Sequence, residues 1–286
     1  METELRTVLV TGANRGIGRA TVNELVRLGF RVIAGVRNEA DGRALAAEAG
    51  PAVSAVTLDV TRLDQVARAA DAVRAAGGER GLYGLVNNAG IVVPGPAEFL
   101  PVAALREQLE VNVVGLLALT QALLPALRQA RGRIVNVSSV NGRLATSFTG
   151  AYAASKFALE ALSDALRREL DGAVDVIVIQ PGAFKTDIWD SSRERARKLV
   201  QDYPPEAQRY YGRVLARLGE VRAPGRAGDP SRVARVVGRA LTTRRPRARY
   251  VVGTDARIGL LLLAVLPTRW LDALLAARRR TGSAPR

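Results

Sequence analysis

The chain of 286 residues contains no cysteine and no histidine, and each absence excludes a class of chemistry. Without cysteine there are no disulfides, no thiolate nucleophiles and no iron–sulfur clusters. Without histidine there is no Ser-His-Asp triad and no metal centre with imidazole ligands, so we expect no metal site. Acid–base chemistry in this protein therefore has to come from tyrosine, lysine, aspartate or glutamate.

Apolar runs long enough to span a bilayer are also lacking. The longest run, residues 258–266, contains a glycine and stops at Pro267, well short of the ~20 residues that a spanning helix needs. The first six residues lack the apolar core of a signal peptide, so we expect a cytoplasmic protein. Residues 257–280 combine the apolar run with Trp270 and three successive arginines. We expect this segment to pack on the core or on another subunit, with contact to a membrane surface as the alternative.

Lysine is scarce although the net charge is +15. Lys156, Lys185 and Lys198 are the three lysines, and the arginines are spread along the chain without a basic tail. A basic patch for nucleic acid would be clustered on one face or in one segment. The distribution is more typical of compositional bias, and we expect no nucleic-acid partner.

Apolar runs rich in valine and isoleucine alternate with segments of helical period. The predicted strands are residues 7–11, 31–36, 53–58, 82–86, 133–137, 174–179 and 250–252, and the predicted helices include 18–28, 63–76, 102–130 and 151–170. This order predicts an α/β fold: a doubly wound parallel sheet of Rossmann type, with about seven strands and helices on both faces. We expect one domain over 1–286, in which 187–228 is either a helical substrate lid or a plain surface excursion.

A glycine-rich turn follows the first predicted strand. Residues 11–18 read Thr-Gly-Ala-Asn-Arg-Gly-Ile-Gly, a pattern that lets the backbone approach a pyrophosphate at the N-terminus of the next helix. Arg37 directly follows the second predicted strand. Proteins that bind NAD usually have a carboxylate at this place, which binds the ribose hydroxyls. Arg37 and Arg15 suit a 2′-phosphate, which favours NADP(H). Alternatively, Arg37 is one more solvated arginine.

A second set of residues suits acid–base catalysis. Tyr152 and Lys156 lie four residues apart on a predicted helix, so their side chains can meet, and a nearby ammonium lowers the pKa of a tyrosine. Ser139 follows the strand 133–137 at its carboxyl end, where open α/β sheets bind ligands and where a hydroxyl can polarise a carbonyl. Asn112 lies inside a predicted helix, where its amide needs partners for either function or structure.

Together these motifs resemble the short-chain dehydrogenase/reductase family in its compact single-domain form, over about residues 7–186. The resemblance implies hydride transfer between nicotinamide and a carbonyl or secondary alcohol. It implies Tyr152 as the general acid/base, Lys156 as the group that lowers its pKa, Ser139 as the group that orients the substrate oxygen, and Asn112 as the holder of a proton-relaying water. Implied cofactor contacts are Tyr152, Lys156, Gly12, Asn14, Arg15, Gly16, Ile17, Gly18, Arg37, Asp59, Val60, Asn88, Ala89, Gly90, Pro181, Gly182 and Thr186.

The expected substrate is lipophilic. Apolar residues follow Ser139, and Phe184, Ile188 and Trp189 precede the predicted lid, which favours a ketone, aldehyde, steroid or retinoid. A non-enzymatic NADPH-binding regulator of the same fold is one alternative, and an epimerase or dehydratase of the related longer family is another. The family resemblance also implies a homodimer or homotetramer, formed through the helices at 102–130 and 151–170.

Overall fold

The computed structural model describes residues 5–220, 223, 225 and 227–281, and side chains as far as residue 276. Within these residues seven parallel strands form one sheet, in the order β3-β2-β1-β4-β5-β6-β7. The strands are β1 Thr7–Thr11, β2 Arg31–Val36, β3 Val53–Thr57, β4 Gly84–Asn87, β5 Arg133–Val137, β6 Asp175–Pro181 and β7 Arg249–Val252. The predicted Rossmann-type sheet is thereby confirmed. The change of direction between β1 and β4 is the position where such sheets bind ligands.

Helices cover both faces of the sheet. They are α1 Gly16–Arg27, α2 Glu39–Ala49, α3 Leu63–Gly77, α4 Val102–Leu109, α5 Gly115–Gln129, α6 Gly150–Glu169, α7 Ile188–Gln201, α8 Pro205–Leu218, α9 Ser231–Thr242, α10 Thr254–Val265 and α11 Thr268–Thr281. One core joins the strands to α1 and α9, and a second core joins the opposite face to α3, α5 and α6. β1, an interior strand, is buried along its whole length.

The predicted helix 102–130 is interrupted in the structure. Between α4 and α5 the backbone takes a π-helical turn at Glu110–Val114. By length and hydropathy this whole stretch, Val102–Gln129, is apolar enough to cross a membrane, which the search for apolar runs in the sequence missed. Leu116, Leu119 and Leu123 on α5 are, however, fully buried against the sheet. The stretch therefore serves as a core helix.

The C-terminal helices pack on the core only in part. Leu271 on α11 is 5% exposed, whereas Ile258, Leu261 and Val265 on α10 and Trp270 on α11 are exposed. Leu271 packs on the core as expected, whereas the other four side chains are exposed on the single chain, so packing on another subunit stays a prediction for them. The exposed stripe on α10 has the spacing of one helix face.

Between positions 187 and 228, the described residues form two helices outside the sheet, α7 and α8. They bury Ala196, Ala207, Leu215 and Leu218 in a cluster of their own. Aromatic rings close this cluster: those of Phe99 and Phe148 each meet the ring of Tyr211 edge-on, with centroids 6.0 Å apart. The helical character of the segment follows the sequence prediction, and the helices are anchored to loops beside the carboxyl end of the sheet.

Candidate active site

Ser139, Tyr152 and Lys156 meet at the carboxyl end of β5. Ser139 directly follows the strand and is 8% exposed, and its Oγ accepts a hydrogen bond from the backbone N–H of Asn141 at 3.1 Å. Tyr152 lies in the first turn of α6, half-buried and hydrogen-bonded to Ser139. Lys156 follows one turn later, 4% exposed, with its Nζ 5.7 Å from the centre of the Tyr152 ring. The three side chains predicted to act together do lie together.

Burial controls the proton affinities of this cluster. It raises the pKa of Tyr152, and the hydrogen bond with Ser139 opposes that rise. The sequence predicted a lower pKa, caused by the Lys156 ammonium. In the structure Lys156 Nζ donates to the carbonyl oxygen of Val137 at 2.8 Å, and the loss of solvation around the phenol prevails. Burial also lowers the pKa of Lys156 to about 8, against an opposing effect of Glu160.

Asn112 lies in the π-helical turn and is fully buried. Its Nδ2 donates to the carbonyl oxygen of Ile91 and to Ser155 Oγ, both at 3.0 Å, and its Oδ1 accepts from the N–H of Ile91 at 2.9 Å. The amide thus ties the loop after β4 to helix α6. A Cβ built on Gly90 would lie 3.3 Å from Asn112 Oδ1 and 3.8 Å from Lys156 Nζ, so both side chains border the same backbone. Asn112 as a water holder stays a prediction.

A groove of about 730 Å³ runs along the carboxyl edge of the sheet. Most of the predicted cofactor residues line it, namely Gly12, Asn14, Arg15, Gly16, Ile17, Arg37, Asp59, Val60, Asn88, Ala89, Gly90 and Thr186. Gly18, Tyr152, Lys156, Pro181 and Gly182 are not part of this lining. A Cβ on Gly18 would overlap the carbonyl oxygen of Gly12, so Gly18 allows α1 to approach the turn. A dinucleotide fits a groove of this length and composition.

The helix end at the groove is prepared for phosphate. Arg15 caps α1 in an extended conformation, without a side-chain cap and without an acidic residue in the first turn. The N–H groups of that turn therefore remain available to an anion, and the helix dipole favours one. Arg15 and Arg37 are both exposed on the groove, and among the described residues neither has an ion-pair partner.

Several lining residues hold the groove itself in shape. Asn88, a predicted cofactor contact, donates from Nδ2 to the carbonyl oxygens of Thr11 at 2.9 Å and Gly12 at 3.1 Å. It therefore fixes the glycine turn. Asp59 Oδ1 accepts from the N–H of Thr61 at 3.0 Å and from its hydroxyl at 2.7 Å. The contacts of Asn88 join segments 76 and 77 residues apart in the sequence, which is why local sequence patterns do not show them.

Sequence reasoning also missed four charged groups of the groove and the loop beside it. Asp41 accepts a hydrogen bond from Asn14 Nδ2 at 2.9 Å. Arg195 on α7 pairs with Glu107 on α4 at 2.6 Å, and both line the groove. Asp255, at the start of α10, accepts from the N–H of Ala183 at 2.7 Å and so anchors the loop that follows Pro181 and Gly182, two of the predicted cofactor contacts. No local spacing pattern predicts these contacts, because the partners lie 27 to 88 residues apart in the sequence.

The predicted apolar pocket is only partly realised. Ile188 lines the groove, but Phe184 is 4% exposed and belongs to the core beneath the sheet. A Cβ on Gly228 would overlap the Phe184 ring, so this glycine covers the aromatic side chain. Trp189 donates from its indole N–H to the carbonyl oxygen of Phe184 at 2.8 Å. Phe184 is therefore a structural residue and not a pocket residue.

Known proteins resemble this chain both in sequence and in fold. A family model described as short chain dehydrogenase matches residues 6–197. The chain belongs to the short-chain dehydrogenase/reductase family. Its members are oxidoreductases acting on alcohol or carbonyl groups with a nicotinamide cofactor.

Three curated relatives match over nearly the whole chain. Dehydrogenase/reductase SDR family member 9 of Bos taurus is 37% identical over 98% of this chain and 90% of its own length. Retinol dehydrogenase 16 of Mus musculus is 39% identical over 94% and 87%. 17-beta-hydroxysteroid dehydrogenase type 6 of Homo sapiens is 36% identical over 94% and 87%.

Solved structures agree on the fold. A short-chain dehydrogenase from Streptomyces avermitilis superposes with a TM-score of 0.76, at 30% identity over 97% of this chain and 98% of its own. A Burkholderia cenocepacia J2315 enzyme in complex with NADP gives 0.71, at 28% identity over 99% and 100%. A Burkholderia phymatum enzyme in complex with NAD gives 0.74, at 26% identity over 93% and 96%. Both nicotinamide cofactors thus occur among these neighbours.

Proposed function

We propose that this protein is an NADPH-dependent reductase of lipophilic carbonyl compounds, with a steroid or retinoid ketone or aldehyde as the substrate class. The observation that carries the reaction type is the meeting of Ser139, Tyr152 and Lys156 beside the groove. The substrate class is supported by relatives named for retinol and for a 17-beta-hydroxysteroid. It is also supported by Ile188 on α7, an apolar side chain in the lining of the groove.

The preference for NADPH rests on charge. Arg15 and Arg37 lie on the groove without ion-pair partners among the described residues, whereas the second strand ends without a carboxylate. A guanidinium forms paired hydrogen bonds with phosphate oxygens, which the 2′-hydroxyl of NADH does not offer. Asp41 is a carboxylate in the same groove, but its Oδ2 is engaged by Asn14.

The chemistry follows from the positions of the side chains. Bound nicotinamide supplies the hydride in reduction and accepts it in oxidation. Tyr152 donates its proton to the substrate oxygen during reduction, and its raised pKa keeps that proton in place at neutral pH. Ser139 stabilises the negative charge that develops on the same oxygen. Lys156 places a positive charge behind the phenol and is oriented by the Val137 carbonyl.

The helices α7 and α8 act as the substrate lid in this proposal. Arg195 on α7 pairs with Glu107 on α4, and both side chains line the groove. In this proposal the ion pair holds the lid closed over bound cofactor and helps to exclude water. Water exclusion strengthens every charge interaction at the reacting oxygen. Variants that lose this pair should release the cofactor faster.

We place the protein in the cytoplasm as a homodimer or homotetramer. Val102 and Val114 on the α4–α5 stretch and Phe157 on α6 expose large apolar side chains, which supports association through these helices. The exposed apolar stripe on α10 suits contact with a membrane surface, so the cytoplasmic location needs a direct test. Flotation with anionic liposomes at moderate salt is expected to leave the protein in the soluble fraction, and stable co-flotation would contradict a cytoplasmic protein.

The function is tested by cofactor oxidation with purified protein. NADPH and NADH are each offered with a panel of ketones, aldehydes, steroids and retinoids, and the wild type is compared with Tyr152→Phe. We expect NADPH-dependent turnover by the wild type and its collapse in Tyr152→Phe with cofactor binding preserved. NADPH binding without turnover on any carbonyl would instead support the non-enzymatic regulator.

A further inference from the structure

Four chemically active side chains lie on one face of α6. Tyr152, Lys156, Glu160 and Asp164 follow one another at intervals of four residues, so each is a neighbour of the next on the helix surface. Lys156 and Glu160 are 4% and 5% exposed. The proposed mechanism uses the first two and gives the buried carboxylate of Glu160 no part.

Glu160 is held from two neighbouring strands. Its Oε1 accepts from Gln180 Nε2 on β6 at 2.9 Å, and its Oε2 accepts from Arg249 Nε on β7 at 3.0 Å. Arg249 also pairs through Nη2 with Asp164 at 2.8 Å, and Arg167 pairs with Asp164 at 2.9 Å. Charges of alternating sign thus run from Lys156 to the protein surface.

A buried network of charged side chains costs stability. Removing a carboxylate from water costs several kcal/mol, and a buried ion pair recovers this only with well-placed hydrogen bonds. An apolar side chain of similar volume would fill the same space on α6 at lower cost. Lys156 of the proposed active site lies one turn from Glu160 on α6, which points to a role there.

Glu160 also reaches the segment that follows β5. A Cβ on Gly142 would lie 3.2 Å from Glu160 Oε1, and Gly142 ends the short turn that begins after Ser139. Lys156 donates to Val137 at the end of the same strand. The carboxylate and the ammonium therefore occupy the same end of β5, one helical turn apart.

We propose that Glu160 is a positioning residue that keeps Lys156 charged behind Tyr152, with Arg249 and Gln180 holding its carboxylate in place. This inference rests on the proposed function for its catalytic meaning, but its electrostatic content can be measured without turnover. Glu160 thereby joins the proton-transfer site although it touches neither substrate nor cofactor.

The surroundings of Lys156 leave Glu160 as its counter-charge. From α6 it faces Tyr152 and Glu160, and from the end of β5 the carbonyl of Val137. From the π-helical turn it faces the neutral amide of Asn112 across Gly90. Burial lowers the pKa of Lys156, and the negative charge of Glu160 opposes that effect.

Glu160 in turn faces a defined set of groups. They are Arg249 from β7, Gln180 from β6 and the hydroxyl of Ser138 from the end of β5. Ser138 Oγ is buried and has no hydrogen-bond partner among the described residues. Removing the charge of Glu160 should lower the pKa of Lys156, whereas removing the charge of Arg249 should raise it.

The test is an NMR titration of lysine Nζ in the full-length protein, labelled at lysine. The chain has three lysines, so three signals are expected, and Lys185→Arg and Lys198→Arg identify the signal of Lys156. We expect Glu160→Gln to lower the apparent pKa of Lys156 by about one unit. Glu160→Asp should restore much of the shift, and Arg249→Gln should move the pKa in the opposite direction.

The signals of Lys185 and Lys198 serve as internal controls and should not move. An unchanged Lys156 signal in Glu160→Gln would overturn the proposal, as would shifts of the same sign in Glu160→Gln and Arg249→Gln. Because Arg249→Gln keeps the buried carboxylate, it remains informative if Glu160→Gln folds poorly. The NMR titrations of both variants are done without any substrate.

A kinetic experiment tests the catalytic meaning separately. If a substrate is found, the pH profile of kcat for Glu160→Gln should move to lower pH in step with the NMR shift. At pH 8 a fall of one unit from about 8 reduces the charged fraction of Lys156 about fivefold. A lower kcat with an unmoved pH profile would show a merely structural role and contradict the proposal. Absence of turnover in the wild type would count against the proposed function, while the NMR result would still stand.

Discussion

Replacing Arg37 with methionine should weaken NADPH binding and leave NADH binding unchanged. Arg37 lies on the groove at the end of β2, exposed and without an ion-pair partner among the described residues. Its free guanidinium is available to the 2′-phosphate, a group that NADH lacks. Methionine keeps an unbranched stem of similar width but removes the charge and all five donors.

The size of the effect can be estimated from the exposure of the side chain. A hydrogen bond to a charged group contributes about 1.5–3 kcal/mol, and solvent and salt reduce that value at an exposed position. The lower end of the range applies to Arg37, so NADPH affinity should fall about tenfold. Raising the salt concentration should narrow the difference between wild type and variant, because the interaction lies in solvent.

The assay is a calorimetric titration of wild type and variant with each cofactor at two ionic strengths. Arg43→Met is the matched control, because Arg43 is an exposed arginine on α2 that pairs with Glu39 away from the groove. It removes the same unit of charge and should leave both affinities unchanged. An equal loss of NADPH and NADH affinity in Arg37→Met would refute the assignment of a 2′-phosphate site.

Three further variants test the turn, the loop and the association surface. Gly18→Ala should cost about 1–3 kcal/mol in urea unfolding and weaken NADPH binding, because the new methyl overlaps the carbonyl of Gly12. Gly212→Ala on α8 is the control, because its methyl would only contact the Gln208 side chain at 3.5 Å and should cost no stability. Equal behaviour of the two variants would contradict the close approach at Gly18. Asn112→Ala should lower the free energy of unfolding by about 1–3 kcal/mol, because the N–H and carbonyl of Ile91 lose their hydrogen bonds to the Asn112 amide. An unchanged urea unfolding curve would disprove this. Phe157→Glu, which charges an exposed apolar position on α6, should lower the sedimentation coefficient, and an unchanged value would remove these helices from the proposed interface.

The strand rhythm and the reactive residues were predictable because they depend on local patterns. Continuous Val and Ile runs predict buried parallel strands, and the spacing of Tyr152 and Lys156 follows from the helical period. Ser139 was found because the carboxyl end of a strand is a fixed place in an open sheet. In each case the deciding information lies within a few residues of the site.

The remaining features depend on contacts between distant segments. The π-helical turn around Asn112 forms because its amide binds Ile91, a residue 21 positions away. Phe184 looked like a pocket residue, but the return of the chain at Gly228 covers its ring. The pairs Arg195–Glu107 and Arg249–Glu160 join elements that no short pattern connects. The raised pKa of Tyr152 likewise depends on the burial that the whole fold imposes.

The central claim is that Tyr152 delivers a proton while a hydride passes from NADPH to a carbonyl carbon. The most direct measurement follows deuterium from nicotinamide C4 of labelled NADPH into the alcohol product, with wild type and Tyr152→Phe compared at equal cofactor saturation. We expect the label on the former carbonyl carbon with the wild type and almost no labelled product with Tyr152→Phe. Transfer at a wild-type rate by Tyr152→Phe, or an alcohol whose new carbon-bound hydrogen comes from solvent, would contradict the account.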